Sequence, residues 1–132
     1  MRLSAYEAPV RGTFLLEDED KAKIIVRLLT PGEINDINAE ATNWEFRQGK
    51  KKSVDPVFQY HQQVERRLKY MKCLDGWEGI WADDAKKTPL AVTDENKTKL
   101  ANQVPGFQEL VLECLVKLEE QNTSQEARLL KN

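Results

Sequence analysis

An α+β domain is the fold class this sequence predicts: an N-terminal β-hairpin packed on a bundle of about four helices, mainly helical overall. Two observations predict it. Near the N-terminus, two short apolar runs rich in β-formers flank a charged turn. From Thr30 onward, apolar residues recur at helical spacing behind recognisable capping residues. The chain has 132 residues, 40% hydrophobic and 32% charged. Domains most often run to roughly 100–150 residues, so one core is expected and not two.

Residues 1–11 are mixed and read as a flexible N-terminal arm. Residues 12–118 carry the patterned text of a single globular domain. In it, Thr13-Phe14-Leu15-Leu16 is expected as the first strand, Glu17 to Lys21 as the turn, and Ala22 to Leu29 as the second strand, a run short enough that a helix is the alternative. Thr30-Pro31-Gly32-Glu33 is a capping box with Pro preset at the first helical position. Ile34, Ile37, Ala41 and Trp44 then form one apolar stripe, ended by Gly49 and the lysine run Lys50-Lys51-Lys52. Asp55-Pro56 opens a second helix, striped by Val57, Tyr60 or His61, Val64, Leu68 and Met71, and Asp75-Gly76 is expected to close it. Thr93 caps a third helix with Leu100 and Val104 on its core side, and Val104-Pro105-Gly106 breaks it. The last helix is the clearest, with Phe107, Leu110, Val111, Cys114, Leu115 and Leu118 at i, i+3, i+4 spacing. Residues 119–132 turn polar and read as a C-terminal tail, partly helical or frayed.

Composition narrows the function. With 20 basic against 22 acidic residues, and no basic stripe, nothing in the chain attracts nucleic acid or an anionic membrane. No signal-peptide pattern opens the chain, and no apolar run approaches the roughly 20 residues that span a bilayer. Cys73 and Cys114 lie far apart in apolar helical text, as two buried thiols of a protein in a reducing compartment do. A cytoplasmic protein is therefore expected. His61 is the one histidine, and no nucleophile elbow, phosphate loop or dinucleotide motif occurs. Asp18 with Asp20, and Asp83 with Asp84, fit turns better than calcium loops. The chain is expected not to be an enzyme, with no catalytic, cofactor-binding or metal-binding residue, and to act by binding another protein.

The aromatic segment Trp77-Glu78-Gly79-Ile80-Trp81 carries most of the remaining information. Tryptophan commonly seals a core with its N–H anchored, and it is also enriched at interfaces. Trp77, directly after Gly76, is expected to be buried and to join the second helix to the last two.

Four pieces recur in a recognisable order: Leu28-Leu29-Thr30-Pro31-Gly32-Glu33; Leu74-Asp75-Gly76-Trp77-Glu78-Gly79-Ile80; Pro89-Leu90-Ala91-Val92-Thr93-Asp94-Glu95-Asn96 running on to Pro105-Gly106-Phe107; and Glu126-Ala127-Arg128-Leu129-Leu130-Lys131-Asn132. From about Thr13 to the end, the chain resembles the tail assembly chaperones of long-tailed bacteriophages and prophages. One departure is that no glycine stands at the Asp83-Asp84 turn.

The resemblance implies a protein that binds the tape-measure protein and keeps it soluble while the tail tube assembles, without remaining in the virion. It also implies contact with tail-tube protein in a frameshifted longer form, and leaves a homo-oligomer open. Candidate partner-binding residues are Trp81, Leu118 where the stripe ends, and Leu129 and Leu130 in the tail. The alternatives are a structural tail-completion or head–tail joining protein and, more weakly, a small regulatory protein.

Overall fold

The structure, a computed structural model, describes residues 3, 9–18, 20–48 and 54–131, with side chains at all of these except 43–48, 54–61 and 124–131. Among the described residues, three antiparallel strands stand in the order β1 (Arg11–Leu15), β2 (Lys23–Arg27) and β3 (Leu74–Glu78), accompanied by four helices: α1 (Pro31–Gln48), α2 (Val54–Cys73), α3 (Asp94–Gln103) and α4 (Phe107–Lys131). The fold is α+β.

The hairpin forms as its β-branched text predicts. Phe14 pairs with Ile24 and Gly12 with Val26. Alternation then puts Ile24 and Val26 on the buried face of β2, and Ala22 just before the strand is buried on the same side. In the turn, the Asp18 carboxylate accepts the Ala22 amide at 2.8 Å, and Lys21 takes a left-handed φ of 49°. Pairing starts slightly earlier than expected: β1 begins at Arg11, and the Val10 carbonyl accepts the Leu28 amide at 2.8 Å.

The third strand was not anticipated. Gly76 does not end a helix in a left-handed turn; α2 stops at Cys73, and Leu74–Glu78 runs along the free edge of β2. Trp77 lies opposite Ile24 and Leu74 opposite Val26, with a register shift between Ile25 and Val26. The left-handed glycine is Gly79 (φ 76°), where an added Cβ would sit 3.2 Å from the Ala22 Cα.

The helix starts follow their caps. Thr30 Oγ1 accepts the Glu33 amide and the Glu33 carboxylate accepts the Thr30 amide, which is the reciprocal pattern of a capping box. Glu33 is also gripped by Arg27 through two hydrogen bonds, at 2.6 and 2.8 Å. The Arg27 guanidinium holds the Glu33 carboxyl down at about 2, against an ordinary 4.5. Thr93 Oγ1 caps α3 by accepting the Asn96 amide.

One core joins the layers. α4 crosses the buried face of the sheet, so Ile24, Val26, Leu74 and Trp77 share that core with Val111, Cys114, Leu115 and Leu118. Trp77 is buried as expected, its indole N–H donating to the Leu90 carbonyl at 2.8 Å, though from a strand and not a helix end. The inner residues of α2 are Tyr70 and Cys73, fully buried, while Val64, Leu68 and Met71 are half-exposed. The Tyr70 hydroxyl donates to the Lys97 carbonyl, and its ring meets Phe107 edge-on. Both cysteines are free and buried. Ile37 and Ala41 are buried on α1, with Ile34 outside. The side chains of Trp44, Val57, Tyr60 and His61, and the lysine run, lie outside the described residues.

Candidate functional site

The break between α3 and α4 forms one wall of an open apolar groove. Pro105 has no amide to continue a helix, and Gly106 takes a φ of 73°, so the chain turns sharply into Phe107. The first orphan amides of α4 are met locally: Phe107 donates to the Val104 carbonyl and Leu110 to that of Gly106. Phe107 plugs the core at 5% exposed, and the turn leaves Val104 and Leu110 facing out. Opposite them is the end of β1, where Leu15 faces out and Phe14 packs half-buried on the core.

Between these walls runs a groove of about 610 Å³. Phe14, Leu15, Leu16, Ile80, Val104 and Leu110 supply its apolar lining, and Glu17, Asp18 and Lys117 its charges. Leu15 (61% exposed), Val104 (42%) and Leu110 (38%) are large hydrophobics left in water, and all three line this one groove. Helical spacing places Val104 on a core side and Leu110 on the stripe of the last helix; both side chains are exposed at the tight corner.

Cys114 borders the groove, but burial pushes its thiol up and so keeps it protonated and unreactive. Burial likewise pushes the Cys73 thiol up to about 12. Among the described residues, no group of three or more His, Cys, Asp or Glu side chains is placed to hold a metal ion. No helix among them is long and apolar enough to cross a membrane.

The residues singled out from sequence are dispersed. Leu118 is 4% exposed and packs towards Gly12, where an added Cβ would lie 3.1 Å from its Cδ1; it is a core residue and presents nothing to a partner. Trp81 is 36% exposed and pairs with Pro89 in a short bridge, flanked by the Ala82–Thr88 and Leu90–Ile80 hydrogen bonds. It does not line the groove, although its neighbour Ile80 does. In the same loop Asp83 accepts the Lys87 and Thr88 amides, and Lys86 adopts the left-handed conformation (φ 56°) without a glycine. Helix α4 runs on to Lys131, so the tail's backbone continues it, while the side chains of Leu129 and Leu130 lie outside the description.

A smaller groove of about 260 Å³ lies beside the C-terminal half of α4, lined by Leu28, Leu29, Ile34 and Leu115 with Lys69, Glu119, Asn122 and Thr123. Leu15, Val104 and Leu110 are the residues that sequence reasoning did not assign to a surface. Their one sequence signal was the Pro105-Gly106 break between the last two. No family model, curated protein or solved structure matches the chain.

Proposed function

We propose that this chain is a tail assembly chaperone of a long-tailed phage or prophage, acting in the bacterial host cytoplasm. It holds apolar helical stretches of the tape-measure protein in the groove between β1 and the α3–α4 corner. The observation that carries the reading is the convergence of Leu15, Val104 and Leu110 in one groove. Helix-in-groove docking uses an open apolar surface of this kind. The order of motifs from Thr30 through Leu74–Ile80 to Pro89–Asn96 supplies the choice of partner. Tail-tube protein and a second copy of the chain are further partners consistent with the reading.

Co-expression with a fragment of the adjacent tape-measure protein tests it. The full chain keeps the fragment soluble and co-purifies with it, and Leu110→Asp, a change at an exposed position, abolishes both effects. Trp81→Ala and removal of residues 124–132 measure how far the surface extends. A fragment that stays insoluble beside the full chain overturns the proposal. Recovery of the chain in finished particles also overturns it, in favour of a structural tail component.

A further inference from the structure

The charges of the groove sit at its two ends. Gly12 packs against Leu118, so β1 starts beside the Lys117 end of the groove. Five residues of extended chain later, about 16 Å away, stand Glu17 and Asp18. Along the other wall, Phe107 to Lys117 spans about 15 Å of helix. The groove is thus about three helical turns long, acidic at one end and basic at the other.

Among the described residues these charges form no ion pair, whereas several others do. Asp20 is held by Lys86, Asp75 by Arg11 and Glu33 by Arg27. Among the described residues, Glu17 and Lys117 have no ion-pair partner, and the Asp18 carboxylate meets the Ala22 amide. Both Glu17 and Lys117 are exposed, so neither is desolvated until something covers the groove.

We propose that the groove takes an amphipathic helical segment of another protein, its apolar face flanked by a basic residue at the Glu17–Asp18 end and an acidic residue at the Lys117 end. The two flanking charges stand about eleven residues apart, three turns along one helical face. Apolar burial at Leu15, Val104 and Leu110 supplies the attraction, and the opposed charges set the direction in which the segment lies. This deepens the chaperone reading and rests on its groove.

The test uses labelled Leu/Ala helical peptides of about four turns, bearing at those two positions Lys and Glu, Lys and Lys, or Glu and Glu, with binding followed by fluorescence anisotropy. The wild-type chain prefers the mixed peptide by on the order of three- to five-fold, the range of an exposed ion pair. Lys117→Glu moves the preference to the Lys/Lys peptide and Glu17→Lys combined with Asp18→Asn moves it to Glu/Glu, and both shifts shrink in roughly 1 M salt, where the screening length falls to about 3 Å. If Leu110→Asp abolishes binding while the charge variants leave the ranking unchanged, the groove stands and the charge assignment is overturned. If no peptide binds the wild type better than Leu110→Asp, the inference is overturned, and the tape-measure co-expression still decides the function separately. A dimer that Leu110→Asp converts to monomer, seen by sedimentation, overturns it by showing the groove filled by a second copy.

Discussion

Trp77 is where the packing of this fold can be measured most directly. It stands on β3 opposite Ile24, 7% exposed, with its indole N–H 2.8 Å from the Leu90 carbonyl. A tryptophan buries about 150–250 Å², and at about 25 cal/mol/Å² that is about 4–6 kcal/mol as an upper bound. Truncation of a large core aromatic to alanine removes about 3–5 kcal/mol, because the cavity relaxes only partly. Trp77→Ala is therefore expected to cost about 4 kcal/mol. Trp77→Phe keeps a ring against Ile24 and loses the hydrogen bond with part of the indole, so about 1–2 kcal/mol is expected. A domain of this size holds about 5–15 kcal/mol in all, so both variants fold, the first with much of its margin gone. Urea titrations followed by far-UV circular dichroism, with slopes compared as well as midpoints, give the two numbers. A loss under about 1 kcal/mol for Trp77→Ala would refute the packing argument. Equal losses for Ala and Phe would show that the hydrogen bond, and not the ring, holds the strand in place.

Gly79→Ala meets both a left-handed φ of 76° and the Ala22 Cα at 3.2 Å, so a loss of about 1–3 kcal/mol is expected by the same titration, and an unchanged midpoint would sink the argument. The Arg27–Glu33 grip lowers the folded pKa of Glu33 to about 2, so its stabilisation is complete above the ordinary 4.5 and is lost as pH falls from there towards 2. Stability measured against pH should accordingly fall less steeply below 4.5 for Glu33→Gln than for the wild type, and parallel curves would exclude the linkage. In a Cys114→Ser background, the buried Cys73 thiol, with its pKa pushed up to about 12, should resist a disulfide reagent at pH 8 until urea unfolds the chain. Prompt stoichiometric labelling of the native protein would place Cys73 at the surface instead.

Local chemistry made several boundaries legible in advance. The caps at Thr30 and Thr93, the hairpin around Glu17–Lys21 and the break at Val104-Pro105-Gly106 depend on neighbours within a few residues, so the chain carries them in its own text. The stripe of α4 was legible for the same reason: Phe107, Val111, Cys114, Leu115 and Leu118 repeat at helical spacing whatever they face.

Tertiary structure decided the rest. Leu74-Asp75-Gly76-Trp77-Glu78 has little strand character of its own, and it becomes β3 because the unpaired edge of β2 needs backbone partners there. The inner face of α2 turned out to be Tyr70 and Cys73, because α3 and α4 choose which side of an amphipathic helix is covered, through the Tyr70–Lys97 hydrogen bond and the Phe107 ring. The groove was least legible of all. Its lining comes from residues 14–18, 80 and 100–117, and the same periodicity describes a leucine that is buried, Leu118, and one that is exposed, Leu110. Periodicity fixes which residues share a helical face, while solvent reaches only the part of that face that no other element covers. The sequence thus determined the caps, the hairpin and the helical faces of this protein; the packing of α4 between the sheet and the α3 corner decided which apolar residues remained in water.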